Sequence, residues 1–353
     1  MHKYNNCRAI AFATIIVLIT GCKKIPPLTE YLSDNVSFAT DNYRPVLGRN
    51  TLVLTQFNAD GSTYPLTFEL QNLRRADGSA AAELISPVTV KDWVTQYTGL
   101  ETSLAEIEAK RKEVQKPFIS IRPGSGDLVF AAASSQQIKS TPGKDSLYLF
   151  DIKVSNATGS SKVFAGRKLI PEREIAYEPF EYDRATRLPL TESFQVYPPV
   201  NTTSITVPKA VRLTTSSNLY YTTDSLMQPY MSAVYFKKTG NGSSLTFRFL
   251  DKDSVAINPA KFSNTKWTEL VHGFNMQMSA THVKYEVAYP VPLSALATKY
   301  TSGGMARVLF EYPRRGFGNS LRNGVFGFNF AIHEPGDWEI VIHFKRNLKF
   351  END

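Results

Sequence analysis

Along most of the chain, apolar and polar residues alternate with a period of two. Leu66, Phe68 and Leu70 are spaced by Thr67 and Glu69, the pattern of a strand with one face buried. Similar short runs recur at 51–57, 118–121, 127–130 and 147–154. After a gap they resume at 204–207, 233–236, 244–249, 283–287, 306–310, 325–330 and 338–344. Asp60-Gly61 and Asp77-Gly78 mark turns, and Pro65 marks a strand start or sheet edge. Gly240-Asn241-Gly242 reads as a hairpin turn. One segment follows a helical period. Ser103 and Glu106 form a capping box, Leu104, Ile107, Arg111 and Val114 share a face, and Pro117 ends the pattern, which predicts a helix of about three turns.

The longest apolar run, Ala9 to Ile19, is too short for a bilayer span, which takes about 20 residues. Lys3 and Arg8 precede it and Thr20-Gly21-Cys22 follow, the layout of a secretory signal whose end resembles a bacterial lipobox. Residues 1–21 are therefore expected to be a signal peptide, with Cys22 as the lipid attachment residue. The Pro-containing, polar stretch 22–35 reads as a lipidated tether. The expected fold class is mainly β, with two β-sandwich domains and one short helix in the first. An immunoglobulin-like sandwich at 36–170 is followed by an acidic, proline-interrupted linker at 171–190 and a jelly-roll-like sandwich at 191–353.

Composition supports this reading. Aromatic residues make up 12% of the chain, which favours strands. Removing residues 1–21 from 353 leaves 332, enough for two packed cores. The formal charge of +8 falls to +6 once Lys3 and Arg8 are gone. In an exported chain a charge of that size reads first as ordinary surface solvation, and as a functional signal it suits anionic lipid headgroups or acidic polysaccharide better than nucleic acid. Of the two cysteines, Cys7 leaves with the signal and Cys22 carries the lipid, so no disulfide is expected.

Enzyme signatures are missing from the sequence. His272, His282, His333 and His343 form no H-E-x-x-H pair, and Gly124-Ser125-Gly126 is not a nucleophile elbow. No catalytic residue, metal or cofactor is expected. Glu311 and Glu334 are the carboxylates whose pairing a glycosidase would need. Asp251-Lys252-Asp253 has half of a calcium loop and reads as a turn. Binding chemistry is richer between Tyr312 and Gly324. There Tyr312, Arg314, Arg315, Phe317 and Asn319 combine aromatic faces with guanidinium and amide groups, the set that grips a sugar, and three arginines suit an acidic one. The same stretch also reads as a hairpin loop with its aromatics packed beneath. Trp267, in a polar setting, is the sixth candidate. Trp93 and Tyr97 are expected to pack the helix, and Trp338 to anchor the last strand. Asp145-Ser146-Leu147, Asp224-Ser225-Leu226 and Asp253-Ser254-Val255 resemble short O-glycosylation acceptors of Bacteroidota.

The run from Trp93 to Lys112 and the terminal Gly336-Asp337-Trp338-Glu339, together with the lipobox, resemble an uncharacterised family of Bacteroidota lipoproteins of unknown function. Members are often linked to loci like the starch-utilisation system. The resemblance implies an outer-membrane lipoprotein and carries no functional residue across. Lys23 and Lys24 stand where surface-exported members carry acidic residues, so both a periplasm-facing and a surface position stay open. The leading expectation is a non-catalytic accessory glycan-binding or uptake-complex component. Its partners are the membrane through the anchor, a polysaccharide and an outer-membrane transporter complex. A structural or adhesive fimbrial-type protein is the alternative, and a glycoside hydrolase the third.

Overall fold

A computed structural model describes residues 31–54, 57–140, 147–178, 191–194, 205–208, 220–222 and 232–353. The signal segment, Cys22, Asp145-Ser146, Asp224-Ser225 and the end of the expected linker lie outside these residues. No helix among the described residues is long and apolar enough to cross a membrane.

The chain is mainly strand. In order it forms β1 (Ser37–Phe38), β2 (Asn42–Tyr43), β3 (Thr51–Val53), β4 (Phe57–Asn58), β5 (Leu66–Arg75), β6 (Pro87–Trp93), helix α1 (Leu104–Ala109), β7 (Arg111–Pro117), β8 (Ile119–Ile121), β9 (Leu128–Phe130), β10 (Tyr148–Asn156), β11 (Ser161–Leu169) and β12 (Tyr177–Glu178). The second half adds β13 (Thr191–Phe194), β14 (Ile205–Pro208), β15 (Tyr220–Thr222), β16 (Ser232–Gly240), β17 (Ser244–Leu250), β18 (Gly273–Met278), β19 (His282–Val287), β20 (Thr301–Ser302), β21 (Met305–Arg315), β22 (Leu321–Ile332) and β23 (Asp337–Phe344).

In the first sandwich, the sheet β2-β11-β10-β5 shares one core with β3-β9-β8. Leu66 and Phe68 are buried and Thr67 and Glu69 exposed, as the alternation requires. The second sandwich sets β12-β22-β21-β20 against β16-β23-β17-β19-β18. Its core is aromatic: Phe310 lies 5.0 Å from Phe249, 5.1 Å from Phe326 and 5.7 Å from Phe247, ring centre to ring centre.

Four local expectations are corrected. Ser103 does cap the helix, accepting the Glu106 N–H at 3.1 Å, but the helix ends at Ala109. Residues 111–117 pair instead with β6, from Trp93↔Arg111 to Pro87↔Pro117. Beyond Ala109 the segment offers only Val114 as an aliphatic residue, too little for a helical stripe to bury, so strand pairing wins. Gly240-Asn241-Gly242 is not a hairpin turn: β23 runs between β16 and β17, antiparallel to the first and parallel to the second. The loop arches over Asp337, which accepts the Gly242 N–H at 2.9 Å and the Ser244 hydroxyl at 2.6 Å. A Cβ on Gly240 or Gly242 would stand 2.5 or 2.6 Å from that carboxylate, so the glycines serve a crossing. The tether is shorter than expected. Tyr31 already bonds Thr63, and buried Ser33 donates to Asp60 at 2.6 Å. The expected linker, finally, starts inside the fold. Leu47 donates to the Glu172 carbonyl, and Tyr177 stacks on Phe236 at 4.8 Å.

The two sandwiches meet through the loop around α1. Tyr97, Ile107, Ala288 and Leu293 form a small shared core. His272 Nε2 donates to the Glu101 carbonyl at 2.8 Å, which leaves Nδ1 to accept the Tyr97 hydroxyl proton. Arg111 donates to the Tyr289 carbonyl at 2.6 Å. Trp93 and Tyr97 thus pack α1, as expected, but against the other sandwich.

Candidate functional site

The site grows from the longest hairpin. β21 and β22 pair without a register break from Ala306↔Phe330 to Arg315↔Leu321. Ala306, Val308, Phe310 and Tyr312 point into the core, while Arg307, Leu309, Glu311 and Arg315 occupy the other parity. Only residues 316–320 form the turn. The Gly316 N–H donates to the Ser320 carbonyl at 2.8 Å, and Gly318 and Asn319 take φ of +66° and +60°. That left-handed pair folds the tip tightly and throws Phe317 outward, 99% exposed. Leu321 beside it is 63% exposed.

The six candidates separate. Phe317, Arg315 and Asn319 are exposed at the tip and Arg314 is half-buried beside them. Arg315 donates to the Glu351 carbonyl at 3.2 Å and to the Asn319 carbonyl at 3.4 Å. Arg322, the third arginine of the stretch, lies across Gly316 and reaches Ser320 Oγ at 3.4 Å. Among the described residues, Arg315 and Arg322 bond carbonyl and hydroxyl oxygens and pair with no carboxylate. Tyr312 is corrected to a core residue. It is fully buried, its ring fills the space over Gly324, and it packs 5.8 Å from Phe262 and 5.4 Å from Phe350. Its alternation with Phe310 carried that signal. Trp267 is half-buried, 6.0 Å from Phe310 and 6.2 Å from Phe249, and plugs the side of the sandwich rather than offering a face.

The two positions therefore respond oppositely to truncation. Tyr312→Ala is expected to cost about 3–5 kcal/mol of stability, as aromatic-to-alanine changes in cores do. Phe317→Ala stays within about 0.5 kcal/mol of the parent, since the ring touches little. Urea unfolding of the two variants checks this. Equal midpoints would contradict the placement.

A groove of about 370 Å³ opens beside β21, lined by Lys266, Glu269, Thr298, Lys299, Arg307 and Glu311 among others. Glu269 pairs with Lys299 at 3.3 Å, and Glu311 accepts from Asn323 at 2.8 Å. Its walls come from three segments distant in sequence, which no local pattern joins.

The two carboxylates named for glycoside hydrolysis, Glu311 and Glu334, are not placed facing each other. Glu311 pairs with Val325 while Glu334 lies beyond Ile332, so more than about 20 Å of strand separates the two carboxylates, and a glycosidase needs about 5–10 Å. Glu334 instead pairs with Lys238 at 2.6 Å. Ser254 Oγ lies 3.4 Å from His343 Nε2, but Lys345 occupies Nδ1 at 3.3 Å. The neutral ring then carries its proton on Nε2 and cannot act as base toward Ser254. Burial and the Lys345 charge hold His343 below its usual value, in keeping with the neutral form. Asp251 accepts the N–H groups of Asp253 and Val255, so the calcium-like stretch is a turn. No group of three or more metal-ligating side chains occurs among the described residues.

The sequence model of a family described as a domain of unknown function (DUF5007) matches residues 57–352. No curated protein matches. Among solved structures, extracellular domains 3–5 of Drosophila OTK align over 83% of this chain and 65% of theirs, at 7% identity and a TM-score of 0.19. The two tandem V-type regions of VCBP3, a v-region-containing chitin-binding protein, align over 88% of this chain and 98% of theirs, at 9% identity and a TM-score of 0.20. At those scores neither likeness bears on function.

Proposed function

The chain belongs to the DUF5007 family, and on that premise we propose that it is an outer-membrane lipoprotein that binds an acidic glycan without acting on it, as an accessory to polysaccharide uptake. The observation that carries this reading is the hairpin tip: a fully exposed Phe317 between Arg315 and Arg322, with Asn319 at the turn. A large apolar ring held out in water is unfavourable unless something covers it. The C–H face of a sugar ring stacks on an aromatic, guanidinium groups grip a carboxylate or sulfate in two-pronged fashion, and the amide reads hydroxyls.

The tip also stands at the end of β21 away from a contact between the two sandwiches. Gly99 of the first sandwich packs against Thr298, near the start of β21, and the tip lies about 30 Å further along that strand. With the anchor at Cys22, the first sandwich stands in the chain between the lipid and the second sandwich and acts as a spacer for the tip.

Two measurements test the reading. Labelled palmitate should enter the wild-type chain but not Cys22→Ala, which moves to the soluble fraction. A wild-type chain that is soluble and unlabelled removes the anchor. A glycan screen of the full chain in detergent should select uronic or sulfated glycans over neutral ones, a preference that Arg315→Ala weakens. Retention of neutral glycans alone would contradict the arginine role.

A further inference from the structure

The first sandwich has two unlike ends. At one of them β5 starts at Leu66, opposite Asn156, and β11 starts at Ser161, opposite Ser155. Tyr31 is pinned to this end. Its N–H donates to Thr63 Oγ1 at 3.2 Å, and its carbonyl accepts the Thr63 N–H at 2.8 Å. The Ser33 N–H donates to Ser62 Oγ at 2.9 Å. The turn between β8 and β9 reaches the same end, since the Phe68 N–H donates to the Pro123 carbonyl at 2.9 Å. At the other end Leu169 closes β11 opposite Tyr148. From there the chain passes Glu172, whose carbonyl accepts the Leu47 N–H, to Tyr177 in the core of the second sandwich. Strand β11 sets the two ends about 26 Å apart.

Three large apolar side chains stand out at the Tyr31 end. Tyr31 and Tyr64 lie on either side of the bonds to Thr63. Leu54 follows Val53, which pairs with Leu128 beside the β8–β9 turn. Each of the three is more than half exposed. Apolar groups gathered at one end of a fold mark a surface that something covers. We propose that this end rests on the lipid bilayer, with Tyr31 and Tyr64 seated among the headgroups. The inference rests on the reading of Cys22 as the lipid attachment residue. Tyr31 follows Cys22 by nine positions, which span about 30 Å at full extension. The Tyr31 end therefore cannot leave the neighbourhood of the bilayer, whatever path those residues take. Tyrosine suits the boundary, because its ring enters the apolar side while its hydroxyl stays with water and headgroups. The end through which the chain continues to the second sandwich is the opposite one, so seating the tyrosines leaves that connection free.

The test uses the full lipidated chain in vesicles of phosphatidylethanolamine and phosphatidylglycerol. Acylation of Cys22 and loss of Cys7 with the signal leave no free thiol, so one added cysteine takes a nitroxide label. Tyr64→Cys reports on the Tyr31 end, and Leu321→Cys at the hairpin tip is the control. Both positions are exposed, so neither label disturbs a core. The Tyr64→Cys label should collide with oxygen, which concentrates in lipid, and lose collisions with a water-borne nickel complex. The Leu321→Cys label should keep its collisions with nickel. Adding Tyr31→Ser to Tyr64→Cys should restore them at the Tyr31 end. A chain that does not float with the vesicles would overturn the anchor reading and this proposal together. A chain that floats while its Tyr64→Cys label stays in water would overturn this proposal alone. Shielding that survives Tyr31→Ser would overturn the seating of Tyr31.

Discussion

Replacing Phe262 by alanine is expected to lower the melting temperature of the second sandwich by about 6–20 °C, from a loss of about 3–5 kcal/mol at about 2–4 °C per kcal/mol. Phe262 ends a 3-10 turn (Pro259–Lys261) and enters the core from the side, with no solvent exposure. Its ring centre lies 4.5 Å from Phe249, 5.4 Å from Phe350, 5.8 Å from Tyr312 and 6.0 Å from Phe326. These residues come from both sheets and from the C-terminal segment, so no single neighbour can move to fill the void, and a cavity that cannot collapse sits at the costly end of the range. Calorimetry of Phe262→Ala beside Phe262→Leu checks the prediction. A shift below about 3 °C for alanine would mean that the core does not close around this ring.

Glu101 carries the second large effect. Its side chain is out of solvent and accepts the Thr98 and Gly99 N–H groups, each at 2.9 Å, the Thr98 hydroxyl at 2.9 Å and the Lys110 ammonium. Burial alone would raise its pKa. The Lys110 and Thr98 bonds outweigh burial and bring it down to about 2. The same loop reaches the other sandwich through the His272 bond to the Glu101 carbonyl and the fit of Gly99 against Thr298. Glu101→Gln keeps the shape but leaves Lys110 without its counter-charge, at a cost of about 3 kcal/mol. Because the folded pKa is depressed, the carboxylate's contribution is complete above about pH 4.5 and is lost as pH falls toward 2. Urea midpoints should therefore fall between those values for the wild-type chain and much less for Glu101→Gln. Identical pH profiles would contradict the assignment.

Much of this architecture was legible because strands with one buried face write their alternation into the sequence. The run Ala306, Val308, Phe310 extends to Tyr312 by the same rule, and counting one step further takes Tyr312 out of the candidate site. What local pattern could not supply was pairing. Nothing near Gly240 announces that β23, nearly a hundred residues on, runs between β16 and β17. β7 is mostly charged and polar, with Val114 its one aliphatic side chain, and its pairing with β6 makes it a strand. Phe317 was nominated by composition, but its exposure comes from the left-handed turn at Gly318 and Asn319. The groove was invisible for a different reason: its walls come from three segments distant in sequence, which no local pattern joins.

The most direct test of the account is the affinity of the full chain and of Phe317→Ala for the best acidic glycan of a screen, measured at one salt concentration with melting curves alongside. Stacking on the exposed ring predicts that binding falls by about fivefold to 150-fold while the melting curve is unchanged, because truncating a stacking aromatic costs about 1–3 kcal/mol of binding. Equal affinity of the two proteins, or no glycan bound by the wild-type chain, would contradict the assignment of the hairpin tip as the binding site.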